Sequence, residues 1–419
     1  ISVLILSHPA IAQVYMNKQS RHRFAQLNMG LDFQYSFGGV TQHFNSQGDI
    51  QSLNLGNSFS PRFLIGGTHF WGHADFYIGI PLFSKNQEDE NQIISFYRGV
   101  ETVFKYYPLR IENKKLRPYI GTSLAPFYFE QKNNNLDFPS GPELKDTSFP
   151  LLAGLTYNSK NRLFELGLAW NYANNQDYAI SRTATVNVET PPIYATLSYR
   201  YILETTLSAE KDWESGRTKE VTKILADKGK LNGFYLGAGI STALWLKESS
   251  YNSNTRPYIE NYTTSLMADF TLGYYIHKAD MNIAVGYRGY GSSTNTYGAI
   301  QQLSRKSILL EATKYLFDYH GFVPFIGPNI SYENLSFDES FENQSTLDLN
   351  ENKIGYGITF GWDIRPNRIQ TWLLRTNLRW TPNLNLDVGG DQNVAFGALE
   401  FNFIQLVIFP GRFKALKQY

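Results

Sequence analysis

Glu101, Lys105, Glu165, Arg200, Arg288, Glu311, Arg375, Arg379 and Glu400 each stand in a run where polar and apolar residues alternate. A period of two places such residues on one face of a strand. Carboxylates and cations gathered on an enclosed face have two uses. They can line a pore and select what passes, or they can pair with one another and fill the interior. The spacing leaves both open. Lys314 interrupts an otherwise apolar row, which a side chain snorkelling toward a membrane interface would explain, and so would a shifted strand register.

Other reactive groups carry less. His69, His73, His277 and His320 fall near short turns, and the sequence contains neither H-E-x-x-H nor G-x-S-x-G. The acidic stretches "NQEDEN" (86–91) and "DESFENQSTLDLNEN" (338–352) lack EF-hand spacing and read as solvated loops. With no cysteine in the chain, disulfides and thiol nucleophiles are excluded. The expectation is a protein without catalytic site, metal or cofactor.

These residues need elements to position them. Only 18% of the chain is charged and 15% is aromatic, a balance that favours strands joined by polar loops. A net charge of +1 offers nucleic acid no general attraction. The opening "ISVLILSHPAIAQ" has the apolar run and small-x-small pattern of a signal peptide, so residues 1–12 are expected to be a leader remnant. No segment reaches the roughly 20 apolar residues of a membrane-crossing helix. A membrane protein of this composition must therefore cross as strands.

Alternation predicts sixteen of them, near 24–37, 60–70, 74–83, 93–107, 116–130, 149–158, 162–173 and 192–205, then 231–246, 263–275, 279–290, 303–318, 322–337, 351–364, 368–381 and 393–409. In the seventh, Phe164, Leu166, Leu168, Trp170 and Tyr172 share one face. In the last, Leu399, Phe401, Phe403, Val407 and Phe409 are expected to oppose Glu400 and Asn402. Connections after odd-numbered strands are long and polar, and those after even-numbered strands are mostly tight. That sorting is expected of a barrel whose short turns face the periplasm and whose long loops face outward. Trp170, Trp245, Trp372 and Trp380 are candidates for interfacial belts.

The chain also repeats. Asn161-Arg162 matches Asn367-Arg368, Pro118 to Gly121 matches Pro324 to Gly327, and Asn187-Val188 matches Asn393-Val394, all displaced by about 206 residues. The fold expected is all-β, a transmembrane antiparallel up-and-down β-barrel of about sixteen strands from two eight-strand halves. Known barrel sizes make one fused ring the first expectation and two eight-stranded barrels the alternative. The units are residues 13–205, a helical periplasmic linker at 206–230, residues 231–410 and a periplasmic tail at 411–419. In the linker Val221, Ile224 and Leu225 fall at helical spacing, with Gly229 as a stop. Together with Trp213 they are candidates for docking a partner.

"FYLGAGISTAL" and "FTLGYYIHKADMNIAVGYRG", with the aromatic closing strand, resemble outer-membrane β-barrels of the OmpA/OmpX/PorT-like kind, and the Asn- and Tyr-rich loops are similar to Bacteroidota examples. The chain departs from that kind at its end, where Phe409 is followed by "PGRFKALKQY". The resemblance implies an outer-membrane location in a Gram-negative cell, with long loops outside and termini in the periplasm. Its partners would be outer-membrane lipid, lipopolysaccharide and other envelope proteins, not nucleic acid. Two roles follow as expectations: a structural or accessory subunit of an envelope complex, or a porin-like diffusion channel.

Overall fold

The computed structural model describes residues 23–416 apart from 45–49, 55, 84–85, 90–91, 134–139, 180, 184, 206–215, 260–261 and 263–265. The leader at 1–12 and Trp213 lie outside the described residues. Among the described residues no helix is long and apolar enough to cross a membrane.

The first half supplies β1 (Ala25–Phe37), β2 (Ser58–His69), β3 (Ala74–Pro81), β4 (Glu101–Tyr106), β5 (Leu116–Asn133), β6 (Leu151–Ser159), β7 (Arg162–Trp170) and β8 (Ile193–Glu204). The second supplies β9 (Gly233–Trp245), β10 (Met267–Ile276), β11 (Met281–Thr296), β12 (Ala299–Tyr315), β13 (Phe322–Phe341), β14 (Gln344–Ile364), β15 (Trp372–Thr381) and β16 (Ala398–Ile408). Each strand pairs antiparallel with the next. The first half closes where β1 meets β8, with Gly30 opposite Arg200, and the second where β9 meets β16. The fold is all-β, a transmembrane up-and-down barrel architecture, but the favoured sixteen-stranded ring does not form. The chain makes two barrels of eight strands, barrel I and barrel II. Their inward rows carry large side chains such as Tyr77, Arg200, Tyr235 and Arg375, which fill an eight-stranded lumen and would leave a wider one open.

Outward rows are apolar and bare, as lipid-facing rows must be. Ile120, Leu166 and Leu168 on barrel I and Phe234 and Tyr356 on barrel II are each more than half exposed. In barrel II the apolar belt ends sharply. Tyr287, Ile308, Tyr332 and Ile354 face outward in one registered row, and the next row toward the loops is Gly289, Lys306, Asn334 and Asn352. Beyond it β11 to β14 continue as strands, where the sequence reads as long loops. Hairpins at Tyr297-Gly298 and Glu342-Asn343 join them, with positive φ at both positions of each turn, the geometry that follows strand twist.

Two further expectations are corrected. Residues 93–107 divide in two: Gln92–Arg98 leaves the ring to pair with the upper part of β5, and only Glu101–Tyr106 stays in it. In β16 a bulge places Phe403 and Ile404 against a shorter stretch of β9 and β15. A bulge inserts one residue and so exchanges the two faces. Gln405, Val407 and Phe409 consequently point inward and are buried, while Leu406 and Ile408 face out.

The barrels stand side by side along a seam of apolar side chains. Near the tight turns Phe24, Phe70 and Trp71 pack on Tyr319, Phe322 and Trp362, with Phe70 and Phe322 edge to face at 5.0 Å. Midway Phe76 meets Phe401 at 5.4 Å. At the loop end Lys145 Nζ donates to the Ser293 carbonyl at 2.6 Å, and Arg182 pairs with Glu342 at 2.9 Å. Because each ring closes on its own strands, a chain ending at Thr205 is expected to fold in detergent as a heat-modifiable barrel. Electrophoretic mobility with and without boiling checks this; a shift-less, aggregated product would show that barrel I needs barrel II.

Candidate functional site

Both lumens are filled by charge. In barrel I, Arg62 forks onto Asp32, with Nε to Oδ1 at 2.8 Å, and also contacts Glu101. Arg98 reaches Glu101 at 3.4 Å and lies 3.7 Å above the Tyr194 ring. One layer nearer the turns, Arg200 binds Asp75 through both nitrogens at 2.7 and 3.1 Å and Glu165 at 3.0 Å. Lys105 pairs with Glu165 and donates to the Tyr77 hydroxyl at 2.7 Å. Arg117 closes the turn end, donating to the Gly72 carbonyl at 2.8 Å.

Barrel II repeats the device with different residues. Arg375 forks onto Asp363 at 2.8 and 2.9 Å and donates to the Tyr315 hydroxyl at 2.9 Å. Arg379 joins Asp269, at 2.5 Å, to Glu311, at 3.1 Å. Arg305 forks onto Glu333 at 2.7 and 2.8 Å and lies 3.3 Å from Glu400, which Arg288 approaches at 2.5 Å without an aligned hydrogen bond. An aromatic layer around Tyr235, Tyr275, Tyr315 and Phe409 seals the turn end. Tyr251, Phe337, Leu386 and Phe396 seal the loop end, with Trp245 against them.

Two glycines make room for this filling. A Cβ on Gly167 would stand 2.1 Å from the Tyr119 hydroxyl, and one on Gly273 would stand 2.2 Å from the Tyr235 ring. Bare backbone at those points lets a tyrosine lie across each lumen. From there Tyr119 donates to Glu165 at 3.1 Å.

The structure buries all the inward-facing candidates, none more than 5% exposed. In barrel I it joins Lys105, Glu165 and Arg200 in one network and sets Glu101 in the neighbouring layer with Arg62 and Arg98; in barrel II it pairs Arg379 with Glu311 and Arg288 with Glu400, while Arg375 pairs with Asp363. Sequence reasoning missed Asp32, Arg62, Asp75 and Arg98, and in barrel II Asp269, Arg305, Glu333 and Asp363. Several were legible by parity: Arg305 lies on the same face of β12 as Glu311, and Arg62 alternates with Phe63 and Ile65. Trp245, expected in an interfacial belt, points inward instead. Trp170 and Trp380 do face outward and are exposed, and Trp372 is half-buried. Lys314 is exposed on the outer row, its ammonium donating to the Ala279 carbonyl in the adjoining turn.

In the linker, α1 (Gly216–Asp227) ends at Gly229, with φ 66° and bonds from Lys230 N–H to Leu225 and from Gly229 N–H to Ala226. That is the left-handed glycine stop the sequence suggests. Its apolar face is used by the chain itself: Leu225 is fully buried against Leu231 and Ile369, with Val221 packed beside them and Ile224 half-buried. Leu225 is therefore closed to an outside partner. A short helix α2 (Ser250–Thr255) lies in the loop-end cap, and the tail folds back as α3 (Pro410–Leu416). Arg412 donates to the Leu231 carbonyl at 2.6 Å and stacks 3.8 Å from Phe409. Among the imidazoles, His73 Nδ1 lies 2.8 Å from the Tyr107 carbonyl, and His320 packs on Trp71 across the seam at 5.7 Å. Among the described residues no group of three or more metal-ligating side chains converges.

No family model matches the chain, and no curated protein does. Among solved structures, Neisserial surface protein A aligns at 17% identity over 42% of this chain and 97% of its own, with a TM-score of 0.32. An outer membrane channel from Pseudomonas putida F1 aligns at 9% identity over 91% and 95%, TM-score 0.22. The P. putida toluene transporter TodX aligns at 10% over 92% and 90%, TM-score 0.19. Likeness at these scores carries no argument about this chain.

Two outcomes follow from the geometry. Arg200→Met or Arg375→Met leaves a buried carboxylate without its cation, a change that typically costs about 3–5 kcal/mol. A lower urea midpoint for loss of the folded electrophoretic form is expected for each, and an unchanged midpoint would mean the networks contribute nothing. The second outcome concerns Glu339 in the loop-end cap. Burial pushes its carboxyl up, but hydrogen bonds from Gln301, Arg256, Thr346 and Tyr251 outweigh burial and hold it below the ordinary carboxylate range. Its contribution to the cap is then complete above the unfolded value of about 4.3 and is lost as pH falls through the lower folded value. Trp245 emission should report that acid transition, and Glu339→Gln should remove it.

Proposed function

We propose that this chain is an integral outer-membrane protein without catalytic chemistry, serving as a structural or accessory subunit of a cell-envelope complex. The observation that carries this reading is that ion pairs cross both lumens and aromatic layers seal both ends of barrel II. Hydrated ions crossing such an interior would have to part these ion pairs. The diffusion-channel reading needs those networks to open.

The long-loop end is taken to face the cell exterior and meet lipopolysaccharide, with both termini and α1 in the periplasm. A four-stranded sheet from Val40–Phe44, Ile50–Asn54, Asn175–Ala179 and Thr185–Glu189 adds to the extended β11 to β14 at that end, where other envelope proteins would dock. Kinship with OmpA/OmpX/PorT-like barrels and a Bacteroidota source belong to the same proposal. So does tandem duplication, supported by position: Asn161 and Asn367 both lie between the sixth and seventh strands of their barrels, and Pro118 and Pro324 both lie on the fifth.

Purified protein in planar bilayers should give no steady conductance steps; steps on the scale of a water-filled pore would replace this reading with the channel. Mass spectrometry after gentle detergent extraction should recover a second envelope protein. A lone monomer under several mild conditions would count against the accessory role.

A further inference from the structure

Two cylinders in contact leave a furrow on each side of the contact line. Here the two furrows differ greatly. On the side of β1 and β2 the remaining gap, beside Leu374, Phe403 and Ile404, is about 30 Å³. On the side of β3 to β6 a crevice of about 830 Å³ persists. Tyr106, Ile120 and Leu151 form its barrel I wall, and Phe322 and Trp362 its barrel II wall. The small outward residues Ala74 and Thr122 leave its floor deep.

From this crevice we infer a binding site for the acyl chains of one glycerophospholipid drawn from the leaflet on the tight-turn side, an inference that rests on the chain spanning a bilayer as proposed above. The crevice opens sideways into hydrocarbon, so what fills it must arrive from there. Water is a poor occupant because a buried water needs two to four polar partners, and these walls are aromatic and aliphatic. Leaving it empty would forfeit dispersion contacts along every lining side chain. The seam continues directly into the crevice at Phe70, Phe76 and Phe322, so hydrocarbon there completes an apolar surface that the chain has packed only on its other side.

One polar side chain marks the level of the crevice. His69 ends β2 beside the tight turn, borders both furrows, and has a buried Nδ1 with no hydrogen-bond partner among the described residues. Its depth, one residue from the turn, matches the ester region of a lipid whose chains run inward.

The test uses the full chain with a single tryptophan, either Trp362 in the crevice or Trp380 on the open face, the others changed to Phe. Each is titrated in detergent micelles with phosphatidylethanolamine brominated on its acyl chains. Trp362 quenching is expected to saturate at a severalfold lower lipid-to-detergent ratio than Trp380 quenching, and A74L/T122L, which fills the floor, is expected to bring the two curves together. Superposed curves in the unfilled chain, or no effect of the filling, would overturn the site. In vesicles made wholly of the brominated lipid, Trp380 must be strongly quenched; its failure would instead sink the membrane reading on which the site depends. If the single-tryptophan chains do not fold, native mass spectrometry of the unaltered protein decides. One retained phospholipid, lost in A74L/T122L, is expected, and none retained would overturn the proposal.

Discussion

Hydrocarbon offers no partner to a backbone N–H or C=O, and everything in this molecule follows from that. Strands must close into rings, and each ring here closes on eight. A ring of that size has room for side chains and little else. Polar residues sent inward by the pleat are therefore cut off from bulk water by the wall and by one another. They can be tolerated only by satisfying each other, which Arg200 with Asp75 and Arg375 with Asp363 do through paired hydrogen bonds.

Alternation made the inward face readable because a strand in this setting has two different solvents, one per face. Glu165 between Phe164 and Leu166 is unambiguous on that ground alone. Whatever breaks the period escapes it. The β16 bulge turns Val407 and Phe409 inward although they look continuous with Phe401 and Phe403. Trp245 escapes for another reason: beyond the apolar belt, both faces of a strand meet protein or water, and an inward tryptophan can join the cap. Polar composition likewise hid the upper reaches of β13 and β14, since a strand standing in water needs no lipid-facing row.

The seam between barrels was invisible for a different physical reason. Phe76 and Phe401, which pack on each other, read the same as Phe164, which faces lipid. In a bilayer burying an apolar side chain against protein gains no hydrophobic free energy, because lipid tails are equally apolar. Selection for a seam therefore leaves shape and not polarity as its trace: edge-to-face rings, and small residues where the walls part. Toward the loops Lys145 and Arg182 also reach across, beside an apolar cluster in which Ala179 meets Tyr258, Ile259 and Ala299.

Strand number is the remaining question that alternation cannot answer, since the same pattern closes at any ring size. The bonds inside each lumen are what count strands. Arg200 on β8 reaches Asp75 on β3, strands that are near neighbours only if β8 returns to β1. Glu400 on β16 meets Arg288 on β11, which again requires β16 to return to β9. In a fused ring β8 would continue to β9, and these partners would stand far apart along the wall with their charges unmatched. The ion pairs are thus more than filler. They are chords whose length selects eight-strand closure, so the residues that occupy the lumen also decide that there are two of them.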